Sequence, residues 1–125
     1  MSDFKLGVNQ QAFLAALRSG KFKQTKEVLE DEHGHCCLGV GCVVAENHGV
    51  EVRRSGLGLV KGSDLTGQPD VIDWLGLYDV SGAPNINDEY FPALVELNDH
   101  FEKSFNEIAN YLEANAEYYL SLIHI

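Results

Sequence analysis

Residues 37–45, Cys37-Leu38-Gly39-Val40-Gly41-Cys42-Val43-Val44-Ala45, carry no charged side chain and are apolar in every direction a helix could present them. A helix that is apolar all round has to be enclosed on all sides. Gly39 and Gly41 tighten the constraint: each costs about 1 kcal/mol relative to alanine inside a helix, and close packing of a neighbouring backbone is what offsets that cost. The segment is therefore expected as a buried central helix, ended by Asn47-His48-Gly49. With 125 residues, 45% of them hydrophobic, the chain can wrap such a helix once but cannot build two ordinary cores. The expected fold class is a single small α+β domain over residues 1–120, with terminal helices and the central helix packed on a small antiparallel sheet.

The flanking segments carry recognisable signals. Asn9 reads as the N-cap of a helix over residues 10–19, with Val8 and Phe13 as a hydrophobic staple, Phe13, Leu14 and Leu17 as its stripe, and Gly20 as its left-handed stop. Asp31-Glu32-His33-Gly34 reads as a turn between short strands at Val28-Leu29 and His35-Cys36. A second hairpin is expected from residues 50–54 and 57–60 through Ser55-Gly56. Gln68-Pro69-Asp70 opens a short helix with Val71, Trp74 and Leu75 on one face, closed by Gly76. Residues 78–92 read as a long loop with room for a short strand near Ile86, and alternation of Ala93, Val95 and Leu97 predicts a half-buried strand. Ser104-Phe105-Asn106-Glu107 is a capping box, and its stripe runs through Ile108, Ala109, Leu112, Ala116 and Tyr119.

Charge divides the chain unevenly. Through Gly62 there are eight basic and seven acidic residues, a net of +1; from Ser63 onward Lys103 stands against twelve acidic residues, a net of −11. The total of −10 excludes a general nucleic-acid binder, which needs clustered lysine and arginine. Asp70, Asp73, Asp88, Glu89 and Asp99 are the expected partner-binding positions of an acidic surface, and Arg18, Lys21 and Lys23 with Lys26 a basic cluster able to contact an anion. No run approaches the ~20 apolar residues of a membrane span, and no secretory leader is read in residues 1–7. Three cysteines without such a leader point to free thiols in a reducing, cytoplasmic compartment. No cofactor is expected: Gly56-Leu57-Gly58 and Gly39-Val40-Gly41 do not continue into a phosphate loop.

His33-Gly34-His35-Cys36-Cys37 is the sharpest chemical cluster. If extended, it places His33, His35 and Cys37 on one face, three ligands of a type zinc accepts, with His48 or His100 as a fourth. Against this, Cys37 and Cys42 would point about 140° apart on a helix. Cys36 or Cys37 at a helix N-terminus could also be a nucleophile, with His33, His35 or His100 as base and Asn98 or Asp99 orienting it. The simpler reading makes the thiols small apolar core groups and Asn98-Asp99 a turn motif. Trp74 fits the core face of its helix better than a ligand platform.

The chain resembles small proteins of tailed phages and prophages through Ala16-Leu17-Arg18-Ser19-Gly20-Lys21-Phe22-Lys23-Gln24, Cys36-Cys37-Leu38-Gly39-Val40 with Cys42, Trp74-Leu75-Gly76-Leu77, Leu97-Asn98-Asp99, Ser104-Phe105 and Glu107-Ile108-Ala109. That likeness spans about residues 12–113. It implies an accessory phage protein acting in a bacterial cytoplasm, a setting where small acidic proteins often bind and inhibit host machinery; with the acidic surface, the expected function is binding of a host factor. The alternatives are a small thiol- or metal-dependent enzyme centred on residues 33–37, or a protein that sequesters a small ligand. The final Ser121-Leu122-Ile123-His124-Ile125 resembles the start of a translated adapter tail, with an apolar terminus docked on the domain as the other reading. No chemistry is assigned to it.

Overall fold

The computed structural model describes residues 5–56, 58–59, 62–86 and 91–121. Helix α1 (Val8–Arg18) begins two residues earlier than its capping signal suggested. Gly7 is the N-cap, and because glycine has no side chain only the reciprocal half of a capping box forms, Gln10 Oε1 accepting the Gly7 N–H at 2.9 Å. Asn9 instead sends its amide to the Trp74 carbonyl at 3.1 Å, and Val8 is 66% exposed, so the expected staple is absent. Phe13, Leu14 and Leu17 are buried as expected, and Gly20 takes the left-handed conformation at φ 75°.

The first hairpin pairs β1 (Glu30–Asp31) with β2 (Gly34–His35), in the register Glu30 to His35 and Asp31 to Gly34. Its strands lie closer to the turn than expected, because Asp31 Oδ1 accepts the N–H groups of His33 and Gly34 at 2.8 and 3.0 Å and closes a tight loop. The second hairpin is also short, β3 (Arg54–Ser55) against β4 (Gly58–Leu59). Leu57 and Val60, expected in its second strand, lie outside the described residues. Glu30 joins the hairpins by accepting the Leu59 N–H at 2.8 Å. Among the described residues the antiparallel part of this α+β fold is thus two two-stranded ladders.

Helix α2 (Cys37–Asn47) is the buried centre that the apolar run required, packed by α1, by α3 (Pro69–Leu75) and by α4 (Leu94–Asp99). Cys36 caps it, its Sγ accepting the Gly39 N–H at 3.4 Å. Both helical glycines meet neighbours: an added Cβ on Gly39 would lie 1.9 Å from the Leu29 carbonyl oxygen, and on Gly41 2.9 Å from Leu75 Cδ1. α3 opens on Pro69 and closes on left-handed Gly76, as read from the sequence.

The expected strand at residues 93–97 is instead helix α4. Leu94, Leu97 and Asn98 are buried at helical spacing while Val95 is only half-buried, and Glu96 Oε1 accepts the Ala93 N–H at 3.2 Å. No strand is present among the described residues of the 78–92 loop. α5 (Phe105–Ala114) starts at the Ser104 capping box, but the helix is interrupted at Asn115 before α6 (Ala116–Tyr119). The Asn115 side chain donates to the Tyr111 carbonyl at 2.9 Å, so a local side-chain bond competes with helix continuation there. Ser121 is tied down by its N–H to the Gly76 carbonyl at 2.7 Å, and residues 122–125 lie outside the described residues.

Candidate binding surface

The thiols offered for catalysis and metal binding serve the fold. Burial lifts the Cys36 thiol to about 11 against the helix-terminal N–H of Gly39 that pulls it down, and lifts Cys42 to about 12. Cys37, fully buried, is raised well above the ordinary thiol range by the same desolvation and donates to the Leu94 carbonyl at 3.5 Å. The helix-terminal lowering that would have made a nucleophile is outweighed by loss of water. His33 stands exposed at the hairpin tip, whereas His35 turns inward with Nε2 2.8 Å from Glu30 Oε2 and its ring edge-on to Phe22. His33, His35 and Cys37 therefore do not converge, and His48 and His100 join neither them nor the thiols. Among the described residues no group of three histidine, cysteine or carboxylate side chains could hold a metal ion.

Asn98 and Asp99 sit inside α4 and work as a buried clasp. Asn98 is 0% exposed; its Oδ1 accepts the Cys37 N–H at 3.1 Å and the Gln24 amide at 2.8 Å, and its Nδ2 donates to the Thr25 carbonyl at 2.8 Å and to Asp99 Oδ1 at 2.9 Å. Asp99 Oδ1 also accepts the Glu27 N–H at 2.9 Å. These bonds fix the segment before β1 to α4 and to the start of α2. Asp99 is thus engaged in holding the fold rather than offered to a partner.

The basic cluster is divided in the same way. Arg18 pairs with Glu113 at 2.7 Å and donates to Asn110 at 2.8 Å, and Lys26 pairs with Glu102. These two cations of the first half thus sit on anions of the second. Arg18 is withdrawn from an anion site, while Lys21 and Lys23 have no ion-pair partner among the described residues.

What remains open is a track along one face of α1, opposite its core stripe. At one end, Asn9, Gly49, Val50, Glu51, Asp70, Asp73 and Trp74 line a groove of about 460 Å³. Glu51, Asp70 and Asp73 are exposed, and their carboxylates have no hydrogen-bond or ion-pair partner among the described residues. At the other end, Ala12, Ala15, Ala16, Ser19, Lys21, Phe22 and the end of α2 at Val44, Asn47 and His48 line a groove of about 430 Å³. His48 of one groove lies against half-buried Trp74 of the other, ring centroids 5.3 Å apart, and Trp74 packs on the core as read from the sequence while also lining the groove. Asp70 and Asp73 are the sequence-proposed residues brought together here; Asp88 and Glu89 lie outside the described residues. Glu51 and the alanine face of α1 were not proposed, and His48 was offered only as a metal ligand. The signal for the alanines was available, since residues 12, 15, 16 and 19 recur at helical spacing away from Phe13, Leu14 and Leu17.

The three thiols are committed to the core of a small α+β domain, and two grooves lie beside its first helix. The chain belongs to the family described as a domain of unknown function (DUF8296), whose model matches residues 8–116. No curated protein and no solved structure matches it. No helix among the described residues is long and apolar enough to cross a membrane.

Proposed function

We propose that this chain is an accessory protein of the phage type, acting in a bacterial cytoplasm, that binds and thereby inhibits a host protein through its acidic surface. The observation that carries this reading is the set Glu51, Asp70 and Asp73 around one groove, exposed and with no ion-pair partner among the described residues. Unpaired carboxylates of one sign steer a basic partner and set the salt dependence of its capture. The enzyme alternative centred on residues 33–37 draws no support from the site, because its thiols are buried and neutral and its histidines face different ways.

The test is affinity capture from bacterial lysate at low and high salt, with the parent chain beside an E51Q/D70N/D73N variant. A host protein retained at low salt, released at high salt and lost from the variant is the expected outcome. Identical capture by parent and variant, or none by either, overturns the reading.

A further inference from the structure

The two grooves lie along one face of α1. Asn9 lines the acidic groove, and Ala12, Ala15, Ala16 and Ser19 line the apolar one; at about 100° per residue all five fall on one face of α1. From Asn9 to Ser19 that face runs about 15 Å, at about 1.5 Å per residue. Its middle holds only small side chains, which set how near a second helix axis can come. Its walls are the end of α2 and the face of α3 with Trp74. Its charge is graded: Glu51, Asp70 and Asp73 at the Asn9 end, Lys21 beyond Ser19.

Resting on the acidic-surface reading, we infer that the partner presents an amphipathic helix of about three turns, seated lengthwise on the α1 face. Its apolar stripe lies on Ala12, Ala15, Ala16, Val44 and Phe22. Its basic end reaches Glu51, Asp70 and Asp73, where an arginine can stack against Trp74 while facing carboxylates. Its acidic end meets Lys21. Helix-in-groove docking of this kind draws affinity from apolar anchors and direction from the charges at the two ends. The graded charge is what selects this occupant: a small apolar ligand would use one groove and leave the opposite end unmatched.

Trp74 is the only tryptophan in the chain, so its fluorescence reports directly from the junction of the two grooves. The probe is a small set of synthetic peptides of about fifteen residues, helical in isolation, with varied apolar stripes, arginines at one end and glutamates at the other. Charge-neutral and stripe-scrambled versions serve as controls. Saturable change of Trp74 emission with the graded peptides is expected, weakened at least about tenfold by scrambling the stripe and by Ala15→Arg, an exposed position mid-track. The D70N/D73N variant is expected to lose affinity and most of its salt dependence. Absence of any Trp74 response to the whole set at millimolar peptide, or equal binding of scrambled and graded peptides, overturns the helix. If A15R still captures a host protein at low salt while E51Q/D70N/D73N does not, the helix fails and the acidic-surface reading stands. If neither substitution alters capture, both fail.

Discussion

Replacing Gly39 by alanine should destabilise the protein although it adds a better helix former to the middle of a helix. In an open helix the exchange would gain about 1 kcal/mol. Here the new methyl carbon would lie 1.9 Å from the Leu29 oxygen, 2.8 Å from its carbonyl carbon and 3.3 Å from its Cα, all backbone atoms, where real contacts stay beyond 3.0 Å. The chain at Leu29 would have to retreat by about 1 Å or more to admit it. Retreat is resisted because Leu29 donates to the Gly62 carbonyl at 2.8 Å and accepts the Cys36 N–H at 3.2 Å, and its own side chain is buried. Overpacking costs about 1–3 kcal/mol and each weakened backbone bond about 1 kcal/mol, so the net loss should be about 2–4 kcal/mol after the propensity gain. For a domain of this size that lowers the melting temperature by about 10 °C. Urea unfolding with an unchanged slope gives the free energy, and amide exchange at Cys36 should speed up in the variant. Gly41→Ala is the control, because its neighbours are the side-chain ends of Leu75 and Phe13, and it should cost less than half as much. A G39A protein as stable as its parent, or more so, would refute the reasoning.

Two further outcomes follow from the site geometry. Asn98→Ala should cost about 3 kcal/mol in urea unfolding, because it strands the buried Cys37 N–H and the Thr25 carbonyl, and a loss under about 1 kcal/mol would show that the clasp is dispensable. The thiols should resist alkylation until the protein unfolds, and stability should decline above pH 9: Cys42 stays neutral in the fold to about 12 but ionises from about 9 once unfolded, so rising pH favours the unfolded chain. Each such thiol contributes a fall of about 1.4 kcal/mol per pH unit in that window, and a Cys42→Ala variant whose alkaline decline matches the parent's would contradict the assignment.

The parts of the fold that could be read in advance are those whose cause lies within a few residues. The all-apolar run became α2, Pro69 and Gly76 bounded α3, Gly20 ended α1, and Ser104 with Glu107 began α5. Misreadings arose where the deciding contact is distant. Ala93, Val95 and Leu97 alternate like a strand, yet burial of Asn98 by Gln24, Thr25 and Cys37, more than sixty residues away, favours the helical spacing of Leu94, Leu97 and Asn98. Asn9 has the chemistry of an N-cap but is held by the Trp74 carbonyl. Charge obeys the same rule. Counting along the chain places a surplus of acid in the second half, but Glu113 and Glu102 are matched by Arg18 and Lys26 from the first, while Glu51, from the neutral half, remains open beside Asp70 and Asp73. A sequence lists charges in order, whereas a surface presents only those the fold has left unmatched; on the proposed reading, a partner would meet the carboxylates around α1 and α3.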